Sequence, residues 1–119
     1  MGETYVTVTV RNPGALDRCW EGEFLVDTGA TDCFVPRAHL EAIGIEPQGS
    51  RVYQLADGRE VECDLGVAQI EFMGEILGGR VVFGESAAEP LLGVTALESA
   101  GFVVDPEGQQ LKRRSFLRL

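Results

Sequence analysis

Apolar and polar residues alternate with a period of two through most of this chain, and that pattern restricts it to half-buried strands. "TYVTVTV" sets Tyr5 and Thr7 against Val6, Val8 and Val10, and "EGEFLVD" follows as a second strand after a loop containing "NPGALD". From Val52 to Phe83 the alternation resumes, with "ADG" and "MGE" as tight turns between strands. Two short windows break the rule. "PRAHLEAIGI" reads as a helix with Pro36 in its first turn, Leu40 and Ile43 on one face and Gly44 at its end; "TALESAG" reads as a second helix stopped by Gly101. "FVVDPEGQQLKR" has the strand, turn, strand form of a hairpin. The expectation is one mostly β domain with two small helices, spanning residues 1–119 without linker or repeat.

Size and charge narrow the function. A chain of 119 residues that is 45% hydrophobic has material for a modest core, and a partner would help to bury the rest. Nineteen acidic residues against ten basic give a net charge of -9, a field that repels phosphate backbones and anionic lipid, so nucleic acid and membrane surfaces are not expected partners. "KRRSFLR" near the C-terminus reads as a solvated basic end. "MGETYVTVTV" has no positive region leading into an apolar run, so no secretory signal is expected, and nowhere is there an apolar run long enough to span a membrane. Gly2 suggests myristoylation, but Val6 stands where that motif needs Ser or Thr. Cys19, Cys33 and Cys63 are odd in number and widely spaced, with no metal-ligand pattern. Free, partly buried thiols in a cytoplasmic protein, with neither metal nor cofactor, are expected.

One stretch does not fit a simple turn. "FLVDTGATDCFVP" places Asp27, Thr28, Gly29 and Ala30 between two apolar runs, and "PLLGVTAL" supplies a second apolar run that meets a glycine at Gly93. Together the two resemble retroviral-type, retropepsin-like aspartic proteases, and "VDTGAT", "LADGR" and "EPLLGVTALE" resemble most closely the small prokaryotic clan AA members. The resemblance covers nearly the whole chain. It implies a retropepsin-like acid-protease β-barrel, active as a homodimer, and an endopeptidase whose water is activated by two Asp27 carboxyls, one from each subunit.

The chemistry accounts for the pairing. Without a metal or a nucleophilic side chain, peptide hydrolysis can use one carboxylate to activate water and a second carboxylic acid to protonate the scissile carbonyl. This chain has a single Asp-Thr-Gly, so the second acid has to come from another copy across a two-fold axis. By the same resemblance, Thr28 holds the two loops together across the dimer, Gly29 lets the backbone approach the carboxylates, and Ala30 completes the loop. Leu91, Leu92 and Gly93 support it from below. Leu55, Ala56, Asp57 and Gly58 of "QLADGRE" form a flap over an extended peptide. The chain departs from the retroviral pattern in having a single flap glycine, with Asp57 near the tip, and in its longer C-terminal hairpin.

Simpler roles stand beside these. Asp27 could cap a turn, Asp57 could be a hairpin residue, and Asp105 in "VVDPEG" reads as opening a β-turn. His39 reads as a surface helix residue and Trp20 as a packing residue at a strand edge. The alternative functional class is a non-catalytic dimeric peptide-binding or scaffolding module of the same fold; a third is an inert β-barrel subunit of a larger assembly.

Overall fold

The computed structural model describes residues 3–85, 87–105, 107 and 110–119. Gly2, Pro106 and Gly108, on which the acylation and part of the turn reading fall, lie outside them. Among the described residues nine strands and two helices follow one another: β1 (Tyr5–Asn12), β2 (Ala15–Asp27), β3 (Cys33–Pro36), α1 (Arg37–Ala42), β4 (Gly49–Gln54), β5 (Glu60–Phe72), β6 (Glu75–Gly84), β7 (Leu91–Gly93), α2 (Val94–Ala100), β8 (Phe102–Asp105) and β9 (Gln110–Arg113). The protein is mostly β, as the alternation requires.

Seven strands form one sheet in the order β1-β2-β7-β3-β6-β5-β4, and β1 also pairs with β5. That last pairing joins Thr9, Val10 and Arg11 to Glu71, Ile70 and Gln69, closing six strands into a barrel and leaving β4 outside the closure. β5 has room for two partners along its length: its first half, Glu60–Leu65, pairs with β4, and its second half, Leu65–Phe72, pairs with β6.

The inward side chains of the alternating strands make the core. Val8, Val10, Phe24, Val35, Ala68, Ile70, Phe72, Val81 and Leu92 are all buried. The helices close the barrel's flanks through Leu40 and Ile43 and through Ala96, Leu97 and Ala100. Phe102 of β8 stacks obliquely on Phe72, with ring centroids 5.5 Å apart, and so ties the separate β8-β9 hairpin to the barrel.

Several local expectations change. The "NPGALD" loop is a tight turn: β2 begins at Ala15, and the Asn12 side chain accepts the Gly14 N–H at 2.8 Å, an Asx closure that leaves the alternating residues after Gly14 free to pair. Pro36 precedes α1 as its N-cap rather than lying in its first turn, and its extended ψ of 134° continues β3 up to the helix. β3 itself is a short strand because Cys33–Pro36 pair in parallel with Val81–Gly84. His39 is half-buried, with its ring stacked on Trp20 at 4.0 Å, because β2 passes directly against α1. Cys19 is exposed, Cys63 intermediate and only Cys33 buried; all three thiols are free.

The β5-β6 hairpin turns on Met73 and Gly74, both at positive φ (50° and 81°), with Phe72 opposite Glu75. A side chain at Gly74 would meet no crowding, with Arg113 nearest at 3.9 Å, so only the backbone demands glycine there. Gly74→Ala should therefore destabilise the fold by about 1–2 kcal/mol in denaturant melts. Gly78→Ala, on a strand with open space around it, should leave stability nearly unchanged.

Candidate active site

The centre of the molecule is a place where one chain segment passes beneath another. β7 enters between β2 and β3: it runs parallel to β2, with Leu25, Val26 and Asp27 opposite Leu91, Leu92 and Gly93, and antiparallel to β3, with Phe34 opposite Leu91. Residues 28–32 must arch over its end. The arch is held by α2, whose first amide donors have no partner within the helix. Val94 N–H donates to the Ala30 carbonyl at 2.8 Å, and Thr95 N–H to the Thr31 carbonyl at 3.2 Å.

Gly93 is what lets the segments come so close. A Cβ there would lie 2.6 Å from the Asp32 carbonyl oxygen and 3.0 Å from that of Ala30, both backbone atoms with no freedom to move aside. Leu92, wholly buried, and half-buried Leu91 flank it below the arch. At the head of β2, Asp27 bends its carboxylate over the turn: Oδ1 accepts the Gly29 N–H at 2.9 Å, and the Asp27 carbonyl accepts the Ala30 N–H at 3.1 Å. Thr28 and Gly29 are exposed at the tip.

Asp27, Gly29 and Ala30 form the floor of a cleft of about 710 Å³ whose wall is the β4-β5 hairpin: Arg51, Val52, Tyr53, Gln54, Leu55, Ala56 and Val61. Leu55 and Ala56 therefore face the cleft, whereas Asp57 and Gly58 sit at the turn beyond it. Leu55 N–H donates to the Arg59 carbonyl and Gly58 N–H to that of Leu55, with Gly58 at φ 90°. Asp57 is engaged within the turn. The Arg59 amide, and then its guanidinium at 2.7 Å, hold the Asp57 carboxyl below its usual value. Asp105 accepts the Glu107 N–H at 3.0 Å, the turn-opening contact expected of it.

The sequence reading passed over the most heavily engaged acid. Asp32 is the one charged residue buried among the described residues, 5% exposed, and the Tyr53 hydroxyl donates to it at 2.6 Å. Arg80 and Arg51 lie 3.6 and 3.8 Å from the same carboxylate oxygen. Burial pushes the Tyr53 phenol up to about 12, its bond to Asp32 acting in the same direction, so the hydroxyl remains a donor throughout the neutral range. Only local alternation could have flagged Asp32, an acid where the strand pattern turns inward at Cys33. No group of three or more His, Cys, Asp or Glu among the described residues is arranged to hold a metal.

A family model described as "gag-polyprotein putative aspartyl protease" matches residues 20–99, which run from β2 through the arch and the hairpin to α2. The chain belongs to this family. The chain superposes on the simian foamy virus (mac) protease with a TM-score of 0.56 at 19% identity, covering 79% of this chain and 91% of that one. It superposes equally, at 14% identity, on a foamy viral protease-reverse transcriptase in complex with an RNA/DNA hybrid, of which it spans 12%. At such identities the likeness is one of fold. No curated protein sequence matches the chain.

Because two backbone carbonyls crowd Gly93, Gly93→Ala should open the crossing of β7 and the arch. An expected loss of about 1–3 kcal/mol, typical of overpacking, would appear as a lower urea midpoint.

Proposed function

We propose that this aspartyl protease family member is a homodimeric aspartic endopeptidase in which residues 1–119 form one retropepsin-like domain. Asp27 of each subunit supplies half of the catalytic pair. The observation that carries this reading is Asp27 itself: a half-buried carboxylate with one oxygen held by the Gly29 amide, set on the floor of a cleft large enough for peptide side chains. The single Asp-Thr-Gly of the chain calls for a partner, and the exposed tip at Thr28 and Gly29 is the surface a second copy would cover.

In the dimer, one Asp27 carboxylate takes a proton from water as the oxygen attacks the scissile carbonyl, while the other, protonated, donates to the carbonyl oxygen. Two carboxyls side by side do not both ionise, because the second negative charge is opposed by the first. This division of labour is the established one for aspartic-protease pairs. Thr28 joins the two arches, and Leu91, Leu92 and Gly93 brace them. β4 ends the sheet order, so its outer edge can take an extended peptide as an added strand, with Leu55 and Ala56 of the flap above it. Three free thiols fit a reducing, cytoplasmic setting.

Asp27→Asn should keep the fold and the dimer, since it is nearly isosteric and removes a like-charge repulsion. Peptide cleavage should fall at least about a thousandfold. Cleavage at the parent rate would displace Asp27 from the mechanism, and a parent protein that binds peptides without cutting them would favour the binding-module alternative.

The pH profile tests the pair rather than the residue. Coupled carboxyls lose their protons in two macroscopic steps, and only the singly protonated pair holds both the base and the acid. kcat/KM on protein shown by mass measurement to be dimeric should be bell-shaped. A profile that rises to an alkaline plateau, or full activity from a monomer, would overturn the shared-proton dimer.

A further inference from the structure

Apart from Asp64 near its base, which Arg37 of α1 holds at 2.6 Å, the β4-β5 hairpin is an arm with one side-chain anchor. Along β4 every side chain is exposed except that of Tyr53, and the strand pairs on one edge only, with β5. No other β4 side chain is covered by the barrel. Yet Arg51, Val52, Tyr53, Gln54, Leu55 and Ala56 make the wall of the Asp27 cleft, so the width of that cleft depends on where the arm rests.

It rests on Asp32. The Tyr53 hydroxyl donates to Asp32 at 2.6 Å, and the Tyr53 ring meets Phe34 edge-on at 5.7 Å. Asp32 is an unusually fixed post. Its carbonyl oxygen lies against Gly93, and Cys33 after it is buried in β3. A buried carboxylate is costly unless it is hydrogen-bonded and paired, and here the compensation comes from other elements: Tyr53 and Arg51 of β4, and Arg80 of β6. The neutral phenol at 2.6 Å is the close partner, and the two guanidinium groups stand further off at 3.6 and 3.8 Å. An acid whose only task was to balance two arginines would not need burial behind a tyrosine of a projecting hairpin.

We propose that Asp32 is a positioning residue that locks the β4-β5 hairpin, close to its turn, to the arch carrying Asp27, through Tyr53, and thereby sets the cleft for an extended peptide. The idea rests on the endopeptidase reading for its kinetic consequence but not for its structural one. Asp32 does not reach the reacting atoms in this role. Losing the tie leaves Asp27 where it is and lets the wall drift, so the defect falls on substrate capture.

Two variants and two measurements test it. Tyr53→Phe removes one hydroxyl from a residue outside the core, and Asp32→Asn keeps the shape of the carboxylate while removing its charge. In the dimeric protein each should raise KM for a peptide substrate roughly tenfold, as expected for one hydrogen bond to a charged group, with a much smaller change in kcat. The double variant should be no worse than the poorer single one, because both act on the same tie. Unchanged KM in Tyr53→Phe, a loss confined to kcat, or additive losses would overturn the proposal.

The second measurement needs no activity and therefore separates failure of this proposal from failure of the peptidase reading. The chain has two tyrosines, Tyr5 and Tyr53, and both phenols are pushed up to about 12, Tyr5 chiefly by its hydrogen bond to Glu89. A raised phenol favours the folded state below its ordinary value of 10, and that contribution is lost as pH rises through 12. Read by tyrosinate absorbance in rapid pH jumps, the parent should ionise both rings together. In Asp32→Asn half of the signal should move down from about 12, since burial still raises the Tyr53 phenol but the Asp32 charge no longer does, while Arg51 still lowers it. A titration unmoved by Asp32→Asn would overturn the tie, whether or not the protein cleaves peptides.

Discussion

The structure depends on the passage of β7 between β2 and β3. Three residues, Leu91, Leu92 and Gly93, hydrogen-bond in parallel to the strand that ends at Asp27 and meet, in the opposite sense, the strand that begins at Cys33. A chain that leaves one strand and returns two strands away must arch, and the arch cannot collapse because β7 fills the space beneath it. Everything chemical in the molecule follows from that. Asp27 is raised at the arch's start, Asp32 is driven inward at its end, and α2 caps it with two amides that would otherwise lack partners.

This crossing tolerates no side chain at its closest point. The contact between Gly93 and the carbonyls of Asp32 and Ala30 is made by backbone alone. Backbone contacts transmit position with little slack, because neither partner has a rotamer to change. The two acids of the arch thus stand at a fixed spacing on one rigid element, with Asp27 facing the cleft and Asp32 facing the barrel and hairpin.

The rest of the barrel serves as a frame of ordinary construction. β5 divides its length between the closed barrel and the projecting hairpin, and its burial changes accordingly: Ala68, Ile70 and Phe72 are buried, while Glu60, Val61 and Glu62 are exposed. One strand is core material at one end and a solvated arm at the other. Arg37 holds the hairpin near its base through Asp64, and the sole half-buried β4 side chain, Tyr53, holds it near its turn.

Much of this was legible in the residues. Alternation along "TYVTVTV" and the segment from Val52 to Phe83 determined the strands, since a period of two puts Val8 and Val10, and Ala68, Ile70 and Phe72, on one inward face. Glycines at Gly44, Gly74 and Gly101 marked turns and helix ends through a need for positive φ that few other residues meet. Asp-Thr-Gly-Ala together with Leu-Leu-Gly pointed to the family because both segments are needed to build one arch. What the sequence did not determine was everything that rests on proximity between distant residues. β3 is a strand only because β6 lies beside it, His39 is covered only because Trp20 crosses α1, and Asp32 looks like any turn acid until Tyr53, Arg51 and Arg80 are brought around it from two other strands. A hydrophobic period is a property of neighbours along the chain and can be read there; the burial of a charge depends on which remote groups arrive to balance it, and only the tertiary structure decides that.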